Sequence, residues 1–253
     1  MLKNLFLIAR YVFFWIFFFF IERLVFLLIF SEKLKGLAFG DILKSFFYGI
    51  RIDLSTIGYA SVLPLLGFLI VWNVFALKGS RKIFRIYIRT LLVVCALITM
   101  INFNIYREWG SKLNYRAFEF LFQSPSEALA SSASSPVFLS IFVLVLLIGI
   151  GFYFSAKIAT THISKDGSLL IKIPVSILLL GINFLAIRGG WQLAPANESM
   201  AYYSSVPILN HAAVNTEWSL MRSFKNISNN KNPYQFSTIK SARETVKKLY
   251  PQT

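Results

Sequence analysis

Leu5–Phe30 reads LFLIARYVFFWIFFFFIERLVFLLIF, and this stretch decides the fold class. At about 1.5 Å rise per residue it is long enough to cross a hydrocarbon core of ~30 Å as a helix. Lipid offers no hydrogen-bond partner to a peptide group, so the run must satisfy its own backbone by coiling. Lys3 and Arg10 give it the basic start of a secretory signal, but no small-residue cleavage site follows and the apolar run resumes after Glu22 and Arg23. It reads as an uncleaved first span. Four further apolar segments, Leu54–Ala76, Ile86–Ile105, Val137–Phe154 and Leu169–Ala186, have comparable lengths. The sequence therefore predicts an all-α membrane protein with five transmembrane helices.

Composition agrees. Hydrophobic residues make up 56% of the chain, above the roughly 45–50% of soluble domains. Cys95 is the single cysteine, which excludes a disulfide framework or a cysteine metal cluster. His162 and His211 are the two histidines, so a histidine-rich metal site is not expected. A net charge of +15 would suggest nucleic acid in a soluble protein. In a chain of this hydropathy it points instead to basic loops and anionic phospholipid, with no nucleic-acid partner.

Short loops set orientation through their Lys and Arg content. The second and third segments are joined by a loop with Lys78, Arg81, Lys82, Arg85 and Arg89, and the fourth and fifth by one with Lys157, Lys165 and Lys172. The other two connections are longer and of mixed charge. This predicts a cytoplasmic N-terminus and, after five crossings, an extracytoplasmic C-terminus. Tyr106, Trp109 and Trp191 fit as interfacial anchors at the ends of spans.

Two regions follow: a transmembrane domain over residues 1–190 and a polar juxtamembrane tail over residues 191–253. Residues 191–236 have the Asn, Ser, Pro and Tyr content of a loop. Near 237–250 the three- and four-residue recurrence of Ile239, Ala242, Val246 and Leu249 predicts a short helix ended by Pro251. Such a helix needs a surface to pack on.

Four stretches carry a family resemblance: Arg23–Phe26 (RLVF), Tyr48–Ser55 (YGIRIDLS), Arg188–Gln192 (RGGWQ) and Asn210–Asn215 (NHAAVN). In this order, within a five-span plan, the chain resembles the membrane domain of the lipoteichoic acid synthase family, phosphoglycerol transferases related to alkaline phosphatases and sulfatases. The resemblance implies a bacterial cytoplasmic-membrane protein that leads into an extracytoplasmic sulfatase-like domain. There a Thr nucleophile and a divalent metal (Mn, Mg or Zn) would move glycerol phosphate from phosphatidylglycerol to an acceptor. No residue here matches the nucleophile or metal ligands. The chain stops at Thr253, about where the first strand of that domain would begin. The expectation is an N-terminal membrane part that holds no cofactor and is inactive alone.

Several residues could hold a lipid headgroup. Arg51 can bind phosphate bidentately, with Asp53 steadying it or taking a lipid hydroxyl, or the two can form a membrane-edge pair that sets helix depth. The backbone of Arg188, Gly189 and Gly190 can cradle an anion as a nest, or serve as a hinge. Arg107 and Arg116 belong to an aromatic-basic cluster with Tyr106, Glu108, Trp109 and Lys112, which could be a headgroup platform, a docking surface for the sulfatase-like domain, or, most commonly, interfacial anchoring. Glu22 and Arg23 lie inside the first segment, where charge calls for a partner on another helix. His211 reads as a loop histidine rather than a ligand. Asn197 and Asn226 head glycosylation sequons that carry little weight in a chain of bacterial type.

The favoured function is the membrane part of a phosphoglycerol or phosphoethanolamine transferase, with anionic phospholipid as partner. Two alternatives stand beside it: a non-catalytic envelope lipid sensor or scaffold, and a small transporter with Glu22, Arg23, Asn102 and Asn183 as its polar path.

Overall fold

The structure is a computed structural model that describes residues 2–74, 79–132, 136–158, 163, 167–227 and 238–249. Among these residues the regular structure is all helix, with no strand. Five helices are long and apolar enough to cross a membrane: α1 (Leu2–Ile29), α2 (Phe39–Asn73), α3 (Ser80–Trp109), α6 (Val137–Ile158) and α7 (Leu169–Arg188). Shorter helices α4 (Tyr115–Gln123) and α5 (Pro125–Ser132) lie between α3 and α6. The tail contains α8 (Pro207–Ala213), α9 (Thr216–Ile227) and α10 (Ile239–Leu249). His162, Lys165, Pro251 and Thr253 lie outside the described residues.

The core is built on α1, whose Trp15, Phe18, Phe19 and Phe26 are buried. Helix α3 turns Ile88, Leu92, Ala96, Thr99 and Phe103 inward at three- and four-residue spacing. Gly151 lets α6 close on α3, because a Cβ there would sit 2.8 Å from Leu92 Cγ. Among the spans, helix α7 packs chiefly on α2. At Gly58 an added Cβ would lie 2.8 Å from the Ile187 backbone nitrogen, so only glycine admits that approach.

Two features of α2 depart from the sequence reading. It begins at Phe39, fifteen residues before the apolar run at Leu54. Its 35 residues amount to about 50 Å of helix, longer than the hydrocarbon core. The segment expected as a mixed loop is therefore helix, and its first half projects on the side where the tail lies. Within the span, Pro64 has no N–H to offer the Ala60 carbonyl four residues back. That carbonyl instead accepts hydrogen bonds from Tyr11 of α1 at 3.0 Å and Tyr87 of α3 at 2.8 Å. Three helices are joined at one orphaned backbone group.

The 191–236 region, expected as loop, contains α8 and α9, and both pack onto the tail-side ends of the spans. Ile52, Ala196, Ala201, Ala213, Val214 and Trp218 form a second small apolar core there. Tyr203 stacks on Tyr48 with centroids 4.8 Å apart and donates to the Asp41 carbonyl at 2.7 Å. By contrast, Ile239, Val246 and Leu249 of α10 are exposed.

Candidate functional site at the tail side of the bundle

A helix ends with carbonyls that have no intrahelical partner, and α8 ends inside the bundle. Cations meet its last carbonyls. Arg23 Nε donates to the Ala212 carbonyl at 2.8 Å and Nη2 to that of Ala213 at 3.3 Å. Lys112 Nζ donates to the His211 carbonyl at 3.1 Å and also to that of Val214. Positive charge at a helix C-terminus is favourable in its own right. Gly49 makes the approach possible: a Cβ there would lie 2.6 Å from the Ala213 oxygen and closer still to Arg23 Nη2.

The same guanidinium pairs with Asp53, its Nη2 donating to Oδ1 at 3.0 Å and Oδ2 at 2.8 Å. Asp53 accepts a further bond from Asn215 Nδ2 at 3.1 Å, while Asn215 Oδ1 caps α9 through the Trp218 N–H at 3.0 Å. Trp218 Nε1 in turn donates to Ser55 Oγ at 3.1 Å, and Ser55 donates to the Ile187 carbonyl at 2.7 Å. One connected network thus ties α1, α2, α7, α8 and α9.

Beside it lie two buried carboxyls. Thr99 Oγ1 is 2.7 Å from Glu22 Oε1 and 3.1 Å from Glu217 Oε1. A hydroxyl has one hydrogen, so only one of these contacts is donated by Thr99. The other requires a protonated carboxyl. Burial pushes Glu217 up to about 7. Burial likewise lowers Lys112 to about 8, and burial followed by the Lys112 charge lowers His211. His211 Nδ1 lies 3.0 Å from the Tyr106 hydroxyl. A cavity of about 20 Å³, room for one water, is lined by Glu22, Arg23, Asp53, Thr99, Lys112 and Asn215 among others.

Above this cluster a crevice of about 490 Å³ is lined by Lys112, Asn114, Glu198, Tyr202, His211, Ser219 and Arg222, with five further residues. Ser219 donates to Glu198 at 2.6 Å. Arg222 makes no hydrogen bond or ion pair with a described residue. Asn102 positions the crevice: fully buried on α3, it accepts the Leu113 N–H at 2.9 Å. Gly110, at φ +66°, makes the reversal that brings Lys112 back over the helix end.

The residues expected to bind headgroups stand differently. Asp53 pairs with Arg23 and not with Arg51, because positions i and i+2 of a helix point apart. Arg51 Nε instead donates to the Gly189 carbonyl at 2.6 Å and Nη2 to Gln192 Oε1. The Gly189 and Gly190 N–H groups bond the Ala186 and Leu185 carbonyls at 2.9 Å each. They form a helix C-cap, which corrects the anion-nest expectation. Arg188 holds the Gln192 and Leu193 carbonyls at 3.1 and 2.7 Å. Arg107 and Arg116 are exposed and join neither group. Tyr106 is buried against Phe26, Phe30 and His211. Asn183 of the transporter path lines a different cavity from Glu22 and Arg23.

Sequence reasoning missed Glu217 and Arg222 as site residues, and placed Lys112 in the aromatic-basic cluster rather than at the end of α8. It also undervalued His211, which lies on a helix and lines the crevice. Glu217 and Arg222 fall in a segment whose polar composition hides a helix. Three of the four stretches quoted above meet in the network, through Arg23, Asp53, Ser55 and Asn215, with Gly49 leaving room for it; the fourth, at Gly189, pairs with Arg51. Comparison with protein-family models, curated proteins and solved structures yields no match to this chain.

Proposed function

We propose that the chain is the membrane domain of a lipid-headgroup transferase of the phosphoglycerol type, seated in a bacterial cytoplasmic membrane with its tail outside. The crevice over α8 and α9 receives the headgroup of an anionic phospholipid. One observation carries this reading: Arg222 stands uncommitted in a polar crevice beside Lys112, which follows the end of α3. An unpaired guanidinium is suited to a phosphate, and Glu198 and Tyr202 on the same wall offer polar contacts to a glycerol or ethanolamine group. The tail network supports it further. By fixing α8 and α9 on the spans, it holds the walls of the crevice in place. The divalent metal that the reaction class employs would belong to the sulfatase-like domain that the resemblance implies.

The exposed apolar stripe of α10 favours a second reading, in which the chain recruits a separate envelope protein as a sensor or scaffold. Capture of such a protein by α10 without any headgroup preference would support it. The test of the first reading is headgroup binding by the full chain in nanodiscs, using short-chain phosphatidylglycerol against phosphatidylcholine. Preference for the anionic lipid, weakened in Arg222→Gln, is expected. Equal binding of both lipids, or no change in Arg222→Gln, would contradict it.

A further inference from the structure

Helices α2 and α7 pack on one another near both ends. On the tail side Gly58 meets Ile187. At the other end Asn73 Nδ2 donates to Ser176 Oγ at 3.0 Å and Lys172 Nζ reaches the Trp72 carbonyl at 3.5 Å. Beside this pair lies a cavity of about 470 Å³ lined by residues of α1, α2, α3 and α7. Its α2 wall runs from Leu54 to Val71, a rise of about 25 Å. Both its volume and its apolar lining are those of a ligand pocket, for which roughly 300–1,000 Å³ is usual.

The polar groups along this slot are nearly all satisfied. Tyr11 and Tyr87 donate to the Ala60 carbonyl, and Ser61 donates to the Ile57 carbonyl at 2.6 Å. Apart from Ser80 and Arg81 at the end of the slot away from the tail, Asn183 of α7 is the exception: its amide lines the slot and has no hydrogen bond to a described residue. An amide without a partner at membrane depth is costly, so its position calls for a ligand acceptor. Asn183 stands little more than one turn inside the Arg188 end of α7. Water does not fill an apolar slot stably, whereas hydrocarbon chains surround it.

We propose that this slot is a lipid site, distinct from the crevice, that takes one acyl chain of a glycerophospholipid. Asn183 donates to the ester carbonyl, the chain runs past Pro64 towards Phe68, and the headgroup lies level with Arg51 and Arg188. The proposal does not depend on the headgroup crevice, and its test reads the acyl chain alone.

The experiment uses the full chain in phosphatidylglycerol nanodiscs doped with the same lipid carrying a photoreactive diazirine along one acyl chain, with adducts mapped by mass spectrometry. Adducts at Leu65, Phe68 and Leu179 are expected to exceed those at Phe142 and Ile177, which are exposed on α6 and α7. Asn183→Leu should reduce the slot adducts about fivefold, the worth of one net hydrogen bond. Leu179→Trp, which fills the slot, should remove them, and both should leave Phe142 and Ile177 labelling unchanged. Slot labelling no higher than at Phe142 and Ile177 in the unaltered chain would overturn the proposal. So would slot labelling that both variants leave intact.

Discussion

Arg23 of α1 and Asp53 of α2 form an ion pair of 2.8 Å whose side chains are 4% and 3% exposed, and the tail closes over it. Removing both charges from water costs several kcal/mol per ion. The pair stands because its remaining donors and acceptors are used, by Ala212, Ala213 and Asn215. Its role is to specify where the tail sits more than to add stability.

Breaking one half leaves the other charged and buried. Arg23→Gln and Asp53→Asn should each cost about 3–5 kcal/mol. The double variant should cost less than the sum of the two, because neither ion is then stranded. Thermal unfolding of the four proteins in detergent measures the coupling; strict additivity would show that the pair is not energetically linked.

Gly49→Ala tests the fit of the tail without touching a charge. The new methyl group would collide with the Ala213 carbonyl and Arg23, an overpacking worth about 1–3 kcal/mol. Hydrogen exchange should rise in α8 and α9 while α6 stays protected.

The Pro64 arrangement predicts a conditional effect. Tyr11→Phe with Tyr87→Phe strands the Ala60 carbonyl in the membrane and should cost about 1–3 kcal/mol beyond packing. In a Pro64→Ala background residue 64 regains an N–H for that carbonyl, so the same double substitution should cost less. Thermal melts of the two backgrounds give the comparison.

Tail docking should depend on pH through Glu217. Its carboxyl is raised from 4.5 to about 7 when docked, so the docked state holds the proton more tightly. Docking is then fully supported below pH 4.5, weakens as pH rises to about 7, and is level above. Lys112, lowered to about 8, acts in the opposite sense and restores docking between 8 and 10.5. His211, lowered from 6.5, partly opposes Glu217 below pH 6.5. Exchange rates in α9 should therefore be greatest near pH 7–8, and Glu217→Gln should remove the fall between 4.5 and 7.

The five spans were legible because apolar length alone forces a helix in lipid. The start of α2 was not, since Phe39–Asp53 alternates charged and apolar residues as a loop or an amphipathic helix equally would. Arg23 announced that it needed a partner, but nothing in one sequence pointed to Asp53. The partner came into reach only because α2 extends beyond the bilayer and the NHAAVN stretch folds back. Lys112 was hidden for a similar reason: Gly110 and Asn102 turn it from the aromatic-basic surface into the end of α8. Gly189 and Gly190 suggested either an anion or a turn, and the α7 carbonyls four or so residues back settle their N–H groups into a cap.

Which side of the membrane the tail occupies bears on the whole functional account. Cys95 is buried, so single cysteines introduced at Leu193, 99% exposed on the tail side, and at the exposed Lys82 on the opposite side report cleanly. In intact bacterial cells expressing the full chain, a membrane-impermeant maleimide should label Leu193→Cys at once and Lys82→Cys only after permeabilisation. Labelling in the reverse order would place the crevice and the tail in the cytosol and contradict an extracytoplasmic headgroup transferase.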